Sequence, residues 1–452
     1  MNTITIREKS QIDGNSYQAE LSFNGDIPYQ IEIKNPFAEA KQEQLLEWYF
    51  EEYSSFPFTK QVEFAEAAAS INTYGEDLFE QVFGQRRAYT EYSNALQSDD
   101  LELEIIGSPV FHQLHWETLK DPDYDHALAL HYPMIRKPVV EQHSHSMVVG
   151  QESATLNVLL VTARPSGKND VGYRTISLPL VKMLQNAKLP VKIDILRPGT
   201  YQALTNKLEQ VTQQHGKGYY HLIHFDVHGS VLSYEELQRG SEANRLSYQT
   251  RFGRTDLQPF DGLKAFLFLQ TDKPGQAEPL EASELANLLT HHGIPLVMLN
   301  ACQSAKQVGT ASETSLGSRL MQSGVQTVVA MAYSVHVSAA KLFMQTLYAN
   351  LFEQVKLDTA IQLARLDLFN DKTRKAYFDT KINLEDWLLP VVYQRQSVAL
   401  PLREFTESEE IAYWENEARR YEVPETSFGF VGRDLDVLEV ENRLLSQRNM
   451  LL

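Results

Sequence analysis

The feature that most constrains the fold is a regular alternation of apolar runs and helical stretches, which begins at Leu156. The apolar runs read LNVLLVTA, VKIDILRP, YYHLIHFDVHG, AFLFLQ, PLVMLNAC and VQTVVAMAY, with helical stretches such as TYQALTNKLEQVTQQHG and LEASELANLLTHHG between them. Strands of a parallel sheet are buried on both faces and therefore read as continuous apolar runs. The alternation predicts an α/β fold with a mostly parallel sheet flanked by helices on both faces.

Two of the predicted strands stop on chemically reactive side chains. The run YYHLIHFDVHG ends on His228 and Gly229, and the run PLVMLNAC ends on Cys302, the one cysteine among 452 residues. The carboxyl ends of parallel strands meet at one edge of a sheet, where ligands of open α/β folds bind. We therefore expect His228 and Cys302 to emerge at the same edge.

A cysteine and a histidine at one sheet edge form the minimum pair for nucleophilic catalysis. The thiolate is the reactive form, and a neighbouring histidine either takes the thiol proton or lowers the cysteine pKa from its free value of about 8.5. The glycine after His228 has no Cβ, so a substrate carbonyl is able to approach the backbone there. The amides of Gly229 and Cys302 are candidate donors for an oxyanion hole, worth about 2.7–4 kcal/mol per donor. This arrangement favours acyl transfer, most simply peptide hydrolysis.

Other interpretations of these residues stay open. A lone cysteine at the end of a buried strand is often only a small apolar side chain. His224, Asp226 and His228 alternate along one predicted strand and would share a face, and such a trio is able to hold zinc, although no fourth ligand is evident nearby. A further alternative is a catalytically silent scaffold that binds a peptide without cutting it.

The composition narrows the classes of partner. A net charge of −18 at pH 7 opposes binding to nucleic acid, which requires a clustered basic surface. No apolar run reaches the roughly 18 residues that a membrane helix needs, and the N-terminus MNTITIREKSQIDG lacks the pattern of a secretory signal. A single cysteine excludes an internal disulfide framework and fits a reducing compartment. We expect a cytoplasmic protein that binds neither nucleic acid nor membrane.

Three regions are predicted along the chain. Residues 1–100 read as short strands followed by helical stretches, which indicates a small β/α region. Residues 101–398 contain the α/β pattern, with a core at 155–395 and a candidate linker, VVEQHSHSMVVGQESAT, ahead of that core. Residues 399–452 hold a charged helix, ESEEIAYWENEARRYE, and end on an apolar MLL. We expect the chain to stop at the opening strand of a truncated further module.

The sequence resembles a known family at these same positions. HLIHFDVHGS, VMLNACQSA and ETSLGSRLMQSGVQTVVAMAY match, in order, the His-Gly, Ala-Cys-Gln-Ser/Thr-Ala and Ser-Leu…Gly-Val…Val-Val-Ala motifs of the CHAT domain, a bacterial branch of the caspase-like (clan CD) cysteine peptidases. With a looser match in LELEIIGSPVFHQLHWETLKDP, the resemblance spans about residues 101–396. It implies a caspase-hemoglobinase-like fold and a dyad of His228 as base and Cys302 as nucleophile, without a required third residue.

The resemblance also implies where a substrate binds. An extended peptide would be added as a strand beside the one after the nucleophile, which here would run along Tyr333, Ser334 and Val335. An alternative is that Tyr333 is only an aromatic residue at a strand end. The implied partner is thus a protein substrate in extended conformation.

Acidic and basic residues near the strand ends would favour opposite charges on the substrate residue before the cut. Relatives that cut after Arg or Lys often carry a carboxylate two positions before the cysteine, where this chain has Asn300. Asp226 stands two positions before His228 and would favour a basic residue by charge pairing, unless it orients His228 or caps a turn. Arg164 and Arg174 lie where caspases place a pocket arginine. We expect a basic or neutral residue before the cut.

The C-terminal stretch FGFVGRDLDVLEVENRLL resembles the segment that opens STAND-type NTPase modules. The sequence contains no G-x-x-x-x-G-K-[ST] phosphate loop, so we assign no cofactor to this chain and expect ATP or a similar nucleotide only in a following module. The resemblance implies an effector peptidase controlled by an NTPase module of the same full-length chain, as in bacterial defence and cell death. Whether it forms an oligomer is left open.

Overall fold

The structure is a computed structural model of the chain. It describes residues 2–37, 39–55, 57–98, 100–139, 150–165, 190–239, 247–248, 259–271, 273, 276–299, 313–333, 335–353, 355–376, 380–398 and 400–420.

The described residues form seventeen strands and ten α-helices. The strands are β1 (Asn2–Gln11), β2 (Ser16–Phe23), β3 (Tyr29–Lys34), β4 (Leu101–Gly107), β5 (Met134–Pro138), β6 (Leu156–Thr162), β7 (Val191–Leu196), β8 (Leu222–Asp226), β9 (His228–Leu232), β10 (Ser247–Tyr248), β11 (Lys264–Gln270), β12 (Gln276–Glu281), β13 (Leu296–Leu299), β14 (Thr327–Met331), β15 (Thr373–Lys375), β16 (Lys381–Asn383) and β17 (Pro390–Gln394). The helices are α1 (Ala40–Glu51), α2 (Gln61–Phe83), α3 (Arg86–Ala95), α4 (Tyr201–His215), α5 (Tyr234–Arg239), α6 (Ala282–His292), α7 (Glu313–Gln322), α8 (Val337–Phe352), α9 (Leu357–Asn370) and α10 (Glu407–Arg420).

Eleven of these strands form one sheet in the order β3-β2-β1-β4-β5-β17-β14-β13-β8-β6-β7. From β1 to β7 all neighbours pair in parallel except β17 and β14, which are antiparallel. Strands β6, β8, β13 and β14 are buried along their whole lengths, because the sheet is covered on both faces. The prediction of an α/β fold with a mostly parallel sheet flanked by helices is confirmed.

Helix α7 packs closely on the middle of this sheet. A Cβ at Gly317 would come within 2.6 Å of Cε2 of Tyr393 on β17 and 3.2 Å of Cβ of Ala330 on β14. Only a glycine lets the helix backbone approach the two strands at this distance. The glycine thus allows α7 to pack directly on β14 and β17.

The expectation of one strand running through His228 is wrong. β8 ends at Asp226, the chain bends at Val227, and β9 begins at His228 in a separate four-stranded sheet of order β10-β12-β11-β9. The run AFLFLQ is a strand, β11, but it pairs antiparallel with β9 and β12 and does not join the large parallel sheet. The alternation rule fails here because a hairpin is inserted after β8.

The N-terminal strands extend the large sheet. β1, β2 and β3 form an antiparallel meander. β1 also pairs in parallel with β4, with Ile4 opposite Leu103, and this pairing joins the meander to the rest of the large sheet. Side chains of β1 alternate between buried and exposed toward its middle, as expected for a strand with one solvated face. The domain boundary at residue 100 stays a prediction. The pairing of β1 with β4 joins residues from the two sides of that boundary.

Two buried carboxyl groups face each other where β4 and α9 begin. Glu102 and Asp358 are the second residues of these elements, and both are nearly inaccessible to solvent. Burial and the adjacent Asp358 carboxylate raise the pKa of Glu102 to about 8, with Lys137 opposing the shift and Glu104 adding to it. Glu102 therefore keeps a proton at neutral pH that it releases in the unfolded chain.

We expect Glu102→Gln to be more stable than the wild type at neutral and alkaline pH. The raised pKa means that the wild type loses stability as the pH rises from about 4.5 to about 8, whereas glutamine does not titrate. The variant should gain about 2 kcal/mol or more in free energy of unfolding near pH 8, and little near pH 4.5. Urea unfolding over this range measures the difference.

The matched control is Glu104→Gln, which lies two residues along β4 and breaks an ion pair with Lys137. This variant should be destabilised, not stabilised. An identical pH dependence in the wild type and Glu102→Gln would contradict a shared proton between Glu102 and Asp358.

Candidate active site

The register between β8 and β13 defines the candidate site. The two strands pair in parallel with Phe225 opposite Leu299. His228 follows Phe225 by three residues, and Cys302 follows Leu299 by three residues. Each of the two residues therefore follows a position of the β8–β13 ladder by the same number of residues along the chain. Cys302 itself lies outside the described residues.

His228 and Gly229 open β9 and are held by its pairing with β11. His228 lies opposite Phe268, and Gly229 lies opposite Leu267. A Cβ at Gly229 would come within 2.4 Å of Leu316 Cδ2, so α7 packs directly against this backbone. The glycine is explained by this close approach, and its amide as an oxyanion donor stays a prediction. His228 is partly exposed, which leaves its imidazole within reach of solvent at the sheet edge.

Asp226 and Arg164 form an ion pair with each other. From the sequence, these two residues predicted opposite charges for the substrate residue before the cut. Arg164 Nη2 lies 2.7 Å from Asp226 Oδ2, and both side chains are buried. The Nη1 group of Arg164 also donates to the carbonyls of Asp226, at 2.7 Å, and Ala163, at 2.9 Å. This guanidinium therefore joins the end of β6 to the end of β8, one residue before the bend that leads to His228. Because the charges compensate each other, this pair presents no net charge to a substrate.

Tyr333 lies two residues beyond the end of β14, and its side chain turns inward. Its hydroxyl donates to Glu43 Oε1 on α1 at 2.8 Å, and its ring stacks on Phe50 with centroids 5.1 Å apart. The same carboxylate is 3.1 Å from Nε2 of His115. Burial opposes the ionisation of Glu43, but His115 and the bond from Tyr333 outweigh it, so the pKa of Glu43 lies below its ordinary value. Val335, the next described residue, is partly exposed.

Four predicted site residues lie outside the described residues. They are Arg174, Asn300, Cys302 and Ser334. Their assigned roles as pocket residues, nucleophile and substrate contact stay predictions.

The structure separates the three residues of the zinc alternative. His224 and Asp226 are on β8, whereas His228 belongs to β9 in the other sheet. Burial lowers the pKa of His224 to about 4, against the attraction of Asp226, so its ring is neutral. Within the described part of the chain, neither of its ring nitrogens has a hydrogen-bond partner. Among the described residues, no group of three His, Cys, Asp or Glu side chains is arranged to hold a metal ion.

Two residues at this edge, Glu43 and His115, were not predicted from the sequence. His115 lies within the stretch LELEIIGSPVFHQLHWETLKDP, which resembles the family only loosely. Glu43 carries no motif at all, and it is 290 residues from its partner Tyr333. The capping box at Glu39 indicates where α1 begins, but it does not indicate which residues the helix contacts, so it could not have identified Glu43.

The structure defines a mostly parallel α/β class of fold in which a His-Gly pair stands just beyond an interior strand of the large sheet. Within that class the chain belongs to the CHAT domain family, whose profile matches residues 73–425, well over half of the chain. The prediction of the family from the residues around His228 and Cys302 is confirmed. No curated protein matches the sequence. In the described part of the chain, none of the helices combines the length and apolar character needed to cross a bilayer.

Several solved structures are similar to this chain at low identity. A chain of the separase–securin complex of Saccharomyces cerevisiae, at 3.0 Å resolution, is 11% identical with a TM-score of 0.43, covering 87% of this chain and 30% of that one. The same complex at 2.6 Å resolution gives 10% identity and a TM-score of 0.39, covering 88% and 30%. The Drosophila initiator caspase Dronc is 10% identical with a TM-score of 0.27, covering 61% and 96%. The chain thus spans less than a third of the length of the separase-complex chain.

Proposed function

We propose that this protein is a caspase-like cysteine endopeptidase in which Cys302 is the nucleophile and His228 is the base. The observation that carries the proposal is the register of β8 and β13, with Phe225 opposite Leu299. Phe225 and Leu299 lie on adjacent parallel strands, and each reactive residue follows one of them by three residues along the chain. Membership of the CHAT domain family supports the same pair.

The proposed reaction begins when His228 takes the proton of the Cys302 thiol. The thiolate attacks the carbonyl carbon of the scissile peptide bond, and the amides of Gly229 and Cys302 stabilise the oxyanion. The imidazolium of His228 then protonates the leaving amine as the C–N bond breaks. Water, deprotonated by His228, attacks the resulting thioester, and the proton returns to the Cys302 sulfur as the acid product leaves.

The partner in this proposal is a protein substrate bound as an extended strand along residues 333–335. The compensated pair of Asp226 and Arg164 leaves neither charge available for an ion pair with the substrate. Of the two preferences left by the sequence, basic or neutral, this pairing favours a neutral residue before the cut.

Control by an NTPase module and a role in bacterial defence or cell death belong to the same proposal. They rest on the resemblance of FGFVGRDLDVLEVENRLL to the opening of such modules, a stretch that lies outside the described residues. A cytoplasmic location accompanies this proposal.

We expect Cys302→Ala to abolish cutting, because the nucleophile is lost. The test incubates the wild type and the variant with a bacterial lysate and identifies new protein N-termini by mass spectrometry. New termini should appear only with the wild type. They should disappear after alkylation with iodoacetamide and persist with a metal chelator.

Three results would contradict this proposal. Cutting that resists alkylation but fails with a chelator indicates a zinc hydrolase. Cutting that persists in Cys302→Ala places the nucleophile elsewhere. Absence of cutting, together with failure of Cys302 to react with peptidyl electrophiles, indicates a binding scaffold.

A further inference from the structure

The contact between α1 and Tyr333 joins the N-terminal region to the proposed substrate edge. α1 spans Ala40–Glu51 and lies outside the residues that match the family, 73–425. Tyr333 opens the segment along which the proposed substrate runs. A helix from outside the family match therefore contacts the segment that would bind the peptide.

Three contacts fix this segment where it leaves the sheet. The Tyr333 hydroxyl donates to Glu43 Oε1 at 2.8 Å, and the Tyr333 and Phe50 rings are nearly parallel, at 22°. The amide of Ala332 donates to the carbonyl of Leu389 at 2.9 Å, just before β17. The Tyr333 side chain is 5% exposed, so it has little surface left for a substrate. Tyr333 would therefore contribute to peptide binding through its backbone and not through its side chain.

The hydrogen bond from Tyr333 to Glu43 is of the stronger, charge-assisted kind. Burial and the Glu43 carboxylate raise the pKa of Tyr333 far above its ordinary value, so the phenol keeps its proton and remains a donor. The pKa of Glu43 is lowered despite the opposing effect of burial, so this group is an ionised acceptor. A bond to a charged group contributes more than a neutral one and also sets a direction. Glu43 thus holds the phenol in one place.

We propose that Glu43 is a positioning residue for substrate binding, which acts through Tyr333 to hold the backbone at Tyr333, beside the proposed substrate strand, in its productive position. This inference rests on the proposed peptidase function. The N-terminal region is then a part of the substrate site. Its contribution appears in the capture of an extended peptide and not in the reactivity of the cysteine.

The test compares two electrophiles that share one reactive group, an acyloxymethyl ketone carried by a tetrapeptide and the same ketone on a single capped residue. The chain has one cysteine, so the mass increase of the intact protein reports Cys302 alone. We expect Glu43→Ala to lower the rate constant for the peptide probe by about tenfold and to leave that of the short probe unchanged. A change in folding or in thiol reactivity alone would affect both probes equally.

Further variants separate the hydrogen bond from its alternatives. Glu43→Gln keeps an acceptor and should restore most of the peptide rate, whereas Tyr333→Phe should lower it as Glu43→Ala does. The double variant should be no slower than Glu43→Ala, since both substitutions remove the same hydrogen bond between Tyr333 and Glu43. Glu47→Ala is the matched control, because it removes an exposed carboxylate one turn along α1 and should have no effect.

Two outcomes would overturn the inference, and they are distinguishable. If the wild type prefers the peptide probe and Glu43→Ala keeps that preference, the positioning role is wrong and the peptidase proposal stands. If the wild type shows no preference for the peptide probe, the proposed function fails and the role of Glu43 fails with it.

Discussion

Replacing His228 with glutamine is expected to lower kcat/KM for peptide cutting by about 10²–10⁴-fold, the usual contribution of a general acid and base. Glutamine keeps a polar side chain of similar length at the start of β9, so the pairing with β11 should persist. It is unable to take the thiol proton or to protonate the leaving amine. The loss should therefore lie in kcat and not in the binding of the peptide.

Alkylation of the single cysteine gives a second measurement of the same variant. Without a histidine partner, the Cys302 thiol should ionise with a free pKa of about 8.5. Its reaction with iodoacetamide should then be slow at neutral pH and recover in alkaline solution, whereas the wild type should react at neutral pH. The control is His291→Gln, at an exposed position near the end of α6, which should match the wild type. Equal alkylation profiles for wild type and His228→Gln would contradict the dyad.

Replacing Arg164 with alanine is expected to lower the free energy of unfolding by about 3–5 kcal/mol, because it leaves the buried Asp226 carboxylate without its cation. The pair has an Nη2–Oδ2 distance of 2.7 Å, and both side chains are almost fully buried. The guanidinium also satisfies the carbonyls of Ala163 and Asp226. Unfolding in urea, followed by far-UV circular dichroism, measures the change.

Two comparisons test whether the lost charge pairing is the cause. The double variant Arg164→Met with Asp226→Asn should be more stable than Arg164→Ala, since no isolated charge remains buried. Arg403→Ala breaks an exposed pair with Glu409 and should shift the urea midpoint only slightly. An unfolding midpoint for Arg164→Ala equal to that of the wild type would refute the stabilising role of the pair.

Four interior strands of the large sheet could be predicted, because strands that are buried on both faces read as continuous apolar runs in the sequence. β6, β8, β13 and β14 all lie within the predicted apolar runs. The division between β8 and β9 could not be predicted, because the run from Leu222 to His228 contains no glycine or proline at the bend. Only the pairing of β9 with β11 shows that His228 starts a new strand.

The candidate site was predictable only where chemistry and strand ends coincide. His228 is followed by a glycine and comes just after a buried strand, so it could be predicted as a candidate site residue from the sequence. The ion pair between Asp226 and Arg164 could not be predicted, because the two residues are separated by 62 positions along the chain and nothing in the sequence indicates their contact. For the same reason the link from Glu43 to Tyr333 needed the three-dimensional structure.

The position of β17 has a consequence for how the protein is made. β17 lies between β5 and β14, with Tyr393 opposite Arg136 and Val329 opposite Val392, so it joins the two halves of the large sheet. A ribosome synthesises the chain from the N-terminus at about 5–20 residues per second, so β17 is made after both of its neighbours, β5 and β14. Until then the nascent halves have no strand to connect them. The order of synthesis therefore leaves the large sheet incomplete until β17 has been translated.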